Sequence, residues 1–259
     1  MRLKLVEPPQ PPTHVVQFYG SNDLSLVRNV AYFLSDGLEY GSTALAITTN
    51  NHKAGIMSEL GQLGIPAAEF ERNGLLAFLN ADETLPEILV HHHPDPGRFD
   101  LIVGATAQRV LSASKDGTVR IYGEMAGILW AQGNFAGAMR LEQLANQLLK
   151  EPGYKVFCSY AVDIFGEQFR HDSLAGPLCA HTHVMPTEYG SDLDAAVFGS
   201  AAATLGVEPS SLRNMVQRHR RVEFAGMSQA EAAILWLREQ VPERAGKIVE
   251  KIRRDLAPS

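Results

Sequence analysis

Two carboxylates, Glu124 and Glu142, stand in one short stretch of the chain together with Arg120, Trp130 and Asn146. Paired carboxylates can do general acid and base chemistry when the fold fixes their separation. No feature of the sequence fixes it here. Glu142 and Asn146 are one helical turn apart and so share a face. Glu124 follows Gly123 at the start of a helix, where a carboxylate meets the positive end of the helix dipole. Plainer roles stand beside these: Glu124 as a helix cap, Arg120 paired with a surface acid, Trp130 as core. If Glu124 is a pocket acid, its replacement by glutamine should leave folding intact. His181 and His183 can bring both imidazoles to one metal ion only in an extended segment, since on a helix they diverge. Spacing places no cysteine or acid beside them, so no metal site is expected, and His91, His92 and His93 read as a loop.

Recognised catalytic patterns are missing. The chain has no G-x-S-x-G, no paired metal motif and no dinucleotide fingerprint, so it reads as a non-enzyme that needs no cofactor. The turn after the first strand, Gly20 to Asp23, stands where a phosphate-binding loop would lie. It carries neither the G-x-x-x-x-G-K-[ST] pattern nor a nearby lysine, and ATP should therefore be neither hydrolysed nor stabilising.

These residues need a scaffold. Residues 14–19 read as a strand, 24–38 as an amphipathic helix, 43–49 as a strand buried on both faces, and 52–63 as a second helix. Residues 75–79 give a third strand, and Asp82 can cap the short helix after it. The apolar spacing over residues 97–113 fits a helix, although 100–103 alone would pass for a strand. The strand 119–122 feeds two helices interrupted at Gln132 to Asn134. Residues 154–160 form another strand, followed by a helix over 167–181. Strands alternating with helices imply a three-layer α/β domain with a mainly parallel sheet.

The run Arg120, Gly123, Glu124, Met125, Leu129, Trp130, Gly133, Asn134, Leu141, Glu142 and Asn146 resembles the MEDS family. This sensory domain is named after methanogen and methylotroph regulators, including a dichloromethane-responsive repressor. The likeness extends to His14, Phe18 and Tyr19, to Gly37 through Gly41, and to Asp82 and Leu85. It continues through Phe157 to Tyr160 and Cys179 to Pro186, covering about residues 13–187. Two positions depart from it: the histidines 91–93 replace an apolar, glycine-containing segment, and Ala161 replaces a proline. The resemblance implies a RecA-like, P-loop-type fold that has lost its phosphate loop, and a small organic, hydrocarbon-derivative-like ligand. A candidate site then takes apolar walls from Phe18, Tyr19 and Trp130, and polar groups from Arg120, Glu124, Glu142, Asn146, Tyr160, His181 and His183.

Residues 1–12, rich in proline, read as a flexible lead-in, 13–189 as the sensory domain, and 190–259 as an α-helical C-terminal extension. Within the extension, residues 193–205 and 210–220 resemble a helix-turn-helix, and Arg213, Arg218, Arg220 and Arg221 are its candidate DNA contacts. Ser228 to Glu231 is a capping box, and Ile248, Val249, Ile252 and Leu256 repeat at helical spacing. The net charge of −6, with the acid excess before residue 190, argues against a general nucleic-acid surface. The extension is expected chiefly to support homodimerisation or output contacts. With 45% hydrophobic residues, no membrane-length apolar run and no signal-peptide core, the chain is expected in the cytoplasm, with Cys158 and Cys179 as buried free thiols. The favoured function is a bacterial signal-transduction protein that binds a small organic ligand or a signalling partner. A degenerate nucleotide-binding protein and a ligand-responsive transcription regulator are the alternatives.

Overall fold

The computed structural model describes residues 14–20, 22–186, 190–219 and 227–256. The expected lead-in, Arg220 and Arg221 lie outside them. In chain order the elements are β1 His14–Phe18, α1 Leu24–Glu39, β2 Thr43–Thr48, α2 Asn50–Gln62, α3 Ala67–Arg72, β3 Leu76–Asn80 and α4 Ala81–Ile88. There follow β4 Leu89–Val90, β5 His93–Pro94, α5 Pro96–Phe99, a π-helical turn Asp100–Gly104, α6 Ala105–Leu111, β6 Val119–Gly123, α7 Met125–Ala131 and α8 Phe135–Leu148. The chain continues as β7 Tyr154–Tyr160, α9 His171–Ala180, β8 His183–Met185, α10 Gly190–Leu205, α11 Pro209–His219, α12 Gln229–Gln240 and α13 Pro242–Asp255.

Six strands form one sheet in the order β3-β2-β6-β7-β1-β8, and every pairing in it is parallel. All residues of β1 and β2 are buried, as expected of strands covered on both faces. Side-chain alternation divides the core. On the side of α1, α2 and α3, Leu26, Leu34 and Ile56 pack against Val15, Ala46, Tyr122 and Phe157 of the strands. On the other side, Leu85, Val103, Met125 and Leu141 pack against Val16, Ile47, Ile121 and Cys158. This second cluster runs on without a break into Val197, Leu212, Ile234 and Ile248 of the C-terminal helices. Those helices are tied to the α/β unit as well by Arg238, whose Nη2 donates to the Phe165 carbonyl at 2.9 Å. The capping box at Ser228 and Glu231 forms as expected.

Several expectations need correction. Asp82 does not cap α4; Asn80 does, accepting from the Asp82 N–H at 2.9 Å, because it leaves β3 with its amide already beside the first turn. The helix expected from residue 167 begins only at His171. Before it, Asp163 accepts from the Phe165 N–H and the Phe169 N–H reaches the Gly166 carbonyl, a turn that buries Phe169 against Phe18. Residues 100–103 are helical, but as a π turn. Cys158 is a buried free thiol, whereas Cys179 is exposed. His91 and His92 form the two-residue turn of the β4–β5 hairpin, with φ of 50° and 65°. Both φ values fit the type I′ geometry of such turns.

Two glycines make close approaches possible. A Cβ on Gly127 in α7 would meet the Ser159 carbonyl oxygen at 2.2 Å, so glycine lets this helix lie directly on β7. A Cβ on Gly37 would meet the Arg120 side chain at 2.6 Å.

Candidate functional site

Period-two alternation sends His14 of β1 and Cys158 and Tyr160 of β7 to the same side of the sheet, beneath α8. The register pairs Val16 with Cys158 and His14 with Val156. From above, α8 contributes Glu142 and, one turn later, Asn146; the extended residue after α9 contributes His181. The Tyr160 hydroxyl donates to Glu142 Oε1 at 2.5 Å. Glu142 Oε2 lies 3.4 Å from the Nε2 atoms of both His14 and His181, and Cys158 Sγ lies 3.5 Å from it. The outer nitrogens are occupied: His181 Nδ1 donates to the Pro177 carbonyl at 2.6 Å, and His14 Nδ1 lies 3.1 Å from Asn146 Oδ1. Asn146 in turn donates from Nδ2 to the Ala180 carbonyl at 3.0 Å, which fixes its oxygen toward His14.

Burial alone would raise the Glu142 carboxyl, but His181, His14 and the Tyr160 hydroxyl outweigh it and hold the group down at about 2. Burial lowers His181 to about 4 against the pull of Glu142. At neutral pH the carboxylate is therefore charged and the His181 ring neutral. Burial, then Glu142, push the Tyr160 and Cys158 protons far up, so both groups keep them.

Beside this cluster, between the sheet, the π turn, α7 and α8, lies a narrow cavity of about 50 Å³. Its walls include Ile47, Phe99, Val103, Ile121, Met125, Ala145 and Leu148, and its polar end is Glu142 and Cys158. On this scale one water needs roughly 10–15 Å³, so the space suits a molecule of few heavy atoms.

Glu124 belongs to the opposite face. Arg120, Tyr122 and Glu124 alternate toward α1 and α2, so Glu124 and Glu142 are separated by the sheet and are not an acid–base pair. The Glu124 carboxylate accepts from the Thr49 N–H, at the start of α2, and lies 2.5 Å from His52 Nδ1. His52 Nε2 is 3.1 Å from Asp23, and Tyr19 packs edge-on to the His52 ring. Burial followed by Glu124 and Asp23 raise the Tyr19 phenol. The Glu124 side chain thus does not cap its own helix; it ties the start of another.

The other expected site residues disperse. Arg120 binds Asp36 and the Phe33 carbonyl, the plainer alternative to the site role expected of it. Phe18 is core between Tyr160 and Phe169, and Trp130 stands edge-on to Tyr160 at 5.7 Å. His183 lies in the edge strand β8, outside the cluster that takes His181. Arg213 stacks over Phe198 at 3.9 Å and donates to Gln229, so its guanidinium is engaged within the helical region; Arg218 is exposed. Sequence reasoning left His14, Cys158, His52 and Asp23 out of the site. For His14 the available signal was a polar residue in phase with Val16 and Phe18 on a fully buried strand.

A search of curated proteins returns no match. A family profile described as "MEthanogen/methylotroph, DcmR Sensory domain" matches residues 13–176, which takes in β1 through most of α9 and, with them, His14, Glu142 and Cys158. With well over half its length matched, the chain belongs to the MEDS family of sensory domains.

Proposed function

We propose that the protein is a non-catalytic sensor of a small, largely apolar organic molecule, held in the cavity beneath α8. The observation that carries this reading is a cavity whose wall is apolar except at one end, where Glu142 and Cys158 stand. Such a site suits a short hydrocarbon derivative, its carbon chain against Ile121 and Met125 and its heteroatom toward the polar end. The C-terminal helices share a core with this face of the sheet, so they are the natural output region of a cytoplasmic regulator. We read the sheet as a RecA-like unit that has lost its phosphate loop, because β1 leads into α1 through a turn without the glycine and lysine pattern of such loops. Among the described residues no helix is long and apolar enough to cross a membrane.

The test is a thermal-shift screen with short-chain halo- and hydroxyalkanes. A ligand at 100 times its dissociation constant adds about 2.7 kcal/mol, or roughly 5–10 °C in a chain of this size. Ala145→Leu, which fills the cavity, should abolish the shift. A shift unchanged in that variant, or no shift with any member of the panel, would overturn the reading.

A further inference from the structure

We propose that His14, Cys158, Glu142 and His181 together bind one tetrahedral transition-metal ion of the zinc class. The centre shares Glu142 and Cys158 with the polar end of the neighbouring cavity, but its four donors are held together whether or not an organic ligand lies there.

Geometry carries it. The four donor atoms all lie within 4.8 Å of one another. The separations His14 Nε2–Glu142 Oε2, His181 Nε2–Glu142 Oε2 and His14 Nε2–Cys158 Sγ are each 3.4 Å, and Cys158 Sγ–Glu142 Oε2 is 3.5 Å. Zinc–nitrogen, –oxygen and –sulfur bonds of ordinary length, arranged tetrahedrally, place their donors about 3.3–3.6 Å apart. Four of the six edges match this spacing, and the other two, from His181 Nε2 to His14 Nε2 and to Cys158 Sγ, lie within 4.8 Å.

The outer shell is built to match. Pro177 and Asn146 take the Nδ1 protons of the two histidines, which turns the Nε2 lone pairs inward. Tyr160 holds Glu142 Oε1 and leaves Oε2 facing the centre. Each donor thus has its orientation set by a second group, the arrangement that supports metal ligands. His181 Nε2, by contrast, is buried without a hydrogen-bond partner and faces a carboxylate oxygen, an acceptor against an acceptor. A dication resolves that opposition. With one thiolate and one carboxylate it forms a neutral centre, which a buried site tolerates. On binding, the thiol proton leaves to solvent and a Cys158–metal bond forms, with no change of oxidation state. Four protein donors close a tetrahedral shell and join β1, β7, α8 and the segment before β8.

The experiment uses the full chain without a histidine tag, carrying Cys179→Ser so that Cys158 is its single thiol. Chelation and loading with Co2+ should give about one ion per chain, tetrahedral visible bands and a thiolate-to-cobalt charge-transfer band. Cys158→Ser should lose the charge-transfer band, and Asn146→Ala should weaken binding about 10–100-fold by freeing His14. His183→Ala should bind normally. A folded protein that takes up no Co2+, a spectrum without the thiolate band, or equal affinity in His181→Ala would overturn the proposal. If the ligand variants fail to fold, the spectrum of the Cys179→Ser protein decides alone. An organic ligand screen that fails while the cobalt band appears would count against the proposed function and leave the metal site standing.

Discussion

Replacing Glu124 by glutamine should destabilise the protein in a pH-dependent way. The carboxylate is 3% exposed and takes the Thr49 N–H and the His52 Nδ1–H. Glutamine keeps one neutral hydrogen bond to Thr49 and can offer its amide to a neutral His52, whose Nε2 still reaches Asp23. Two charge-assisted bonds become neutral ones, a loss of about 1–1.5 kcal/mol each, so roughly 2–3 kcal/mol in total. In a chain of this length that is about 4–12 °C in Tm. Burial works to lower His52, but Glu124 and Asp23 outweigh it and raise the group above its ordinary 6.5. Its contribution is therefore complete below pH 6.5 and is lost as the pH climbs through the folded-state value. Burial works to raise Glu124, but His52 and the Thr49 N–H hold it below 4.5, so its contribution is complete above 4.5 and is lost as the pH falls through the folded-state value. The pair is fully stabilising between pH 4.5 and 6.5. Calorimetric melts of wild type and Glu124→Gln near pH 6 should show the full gap, narrowing as the pH rises above 6.5 and through the raised folded-state value of His52. Melting temperatures within a degree or so near pH 6 would mean that Glu124 does not tie α2, and the reasoning fails.

The histidine turn and the α7–β7 contact each yield a further expectation. Replacing His91 and His92 by Asn-Gly relieves two left-handed non-glycine residues and should raise stability by about 1–2 kcal/mol, measured by urea unfolding. Gly127→Ala gains helix propensity but drives a methyl into the Ser159 carbonyl oxygen, so a net loss of about 1–3 kcal/mol is expected in the same assay.

Much of the fold was legible because β2 reads as a nearly continuous apolar run and β1, β6 and β7 as short, mostly apolar segments set between helices. The three-residue β8 and six-residue α3 were not, since segments so short carry no period. The start of α9 was misplaced because the turn at residues 163–169 is held by tertiary burial of Phe169, which helical spacing imitates. At the site, the one-turn spacing placed Glu142 and Asn146 on one helix face, and the structure has them both facing the histidines. The split of Glu124 from Glu142 was hidden for a different reason. A strand and the helix after it lie in different layers, so chain proximity does not put their side chains on one side of the sheet. Alternation along Arg120, Tyr122 and Glu124 does carry that information, once the face covered by α8 is known. His14 and His181 meet through the β1–β8 pairing, where the Thr182 N–H donates to the His14 carbonyl at 2.9 Å, a contact that no local pattern encodes.

The central claim is that the cavity beneath α8 receives the sensed molecule. Methyl-labelled protein titrated with short-chain halo- and hydroxyalkanes, followed by two-dimensional NMR, tests it most directly. Saturable shifts are expected at Ile47, Val103, Ile121 and Met125, with no shifts at Val27, Leu34 and Ile56 on the opposite face and loss of the response in Ala145→Leu. Shifts confined to the α1–α2 face, or a titration that leaves the cavity methyls unmoved, would contradict it.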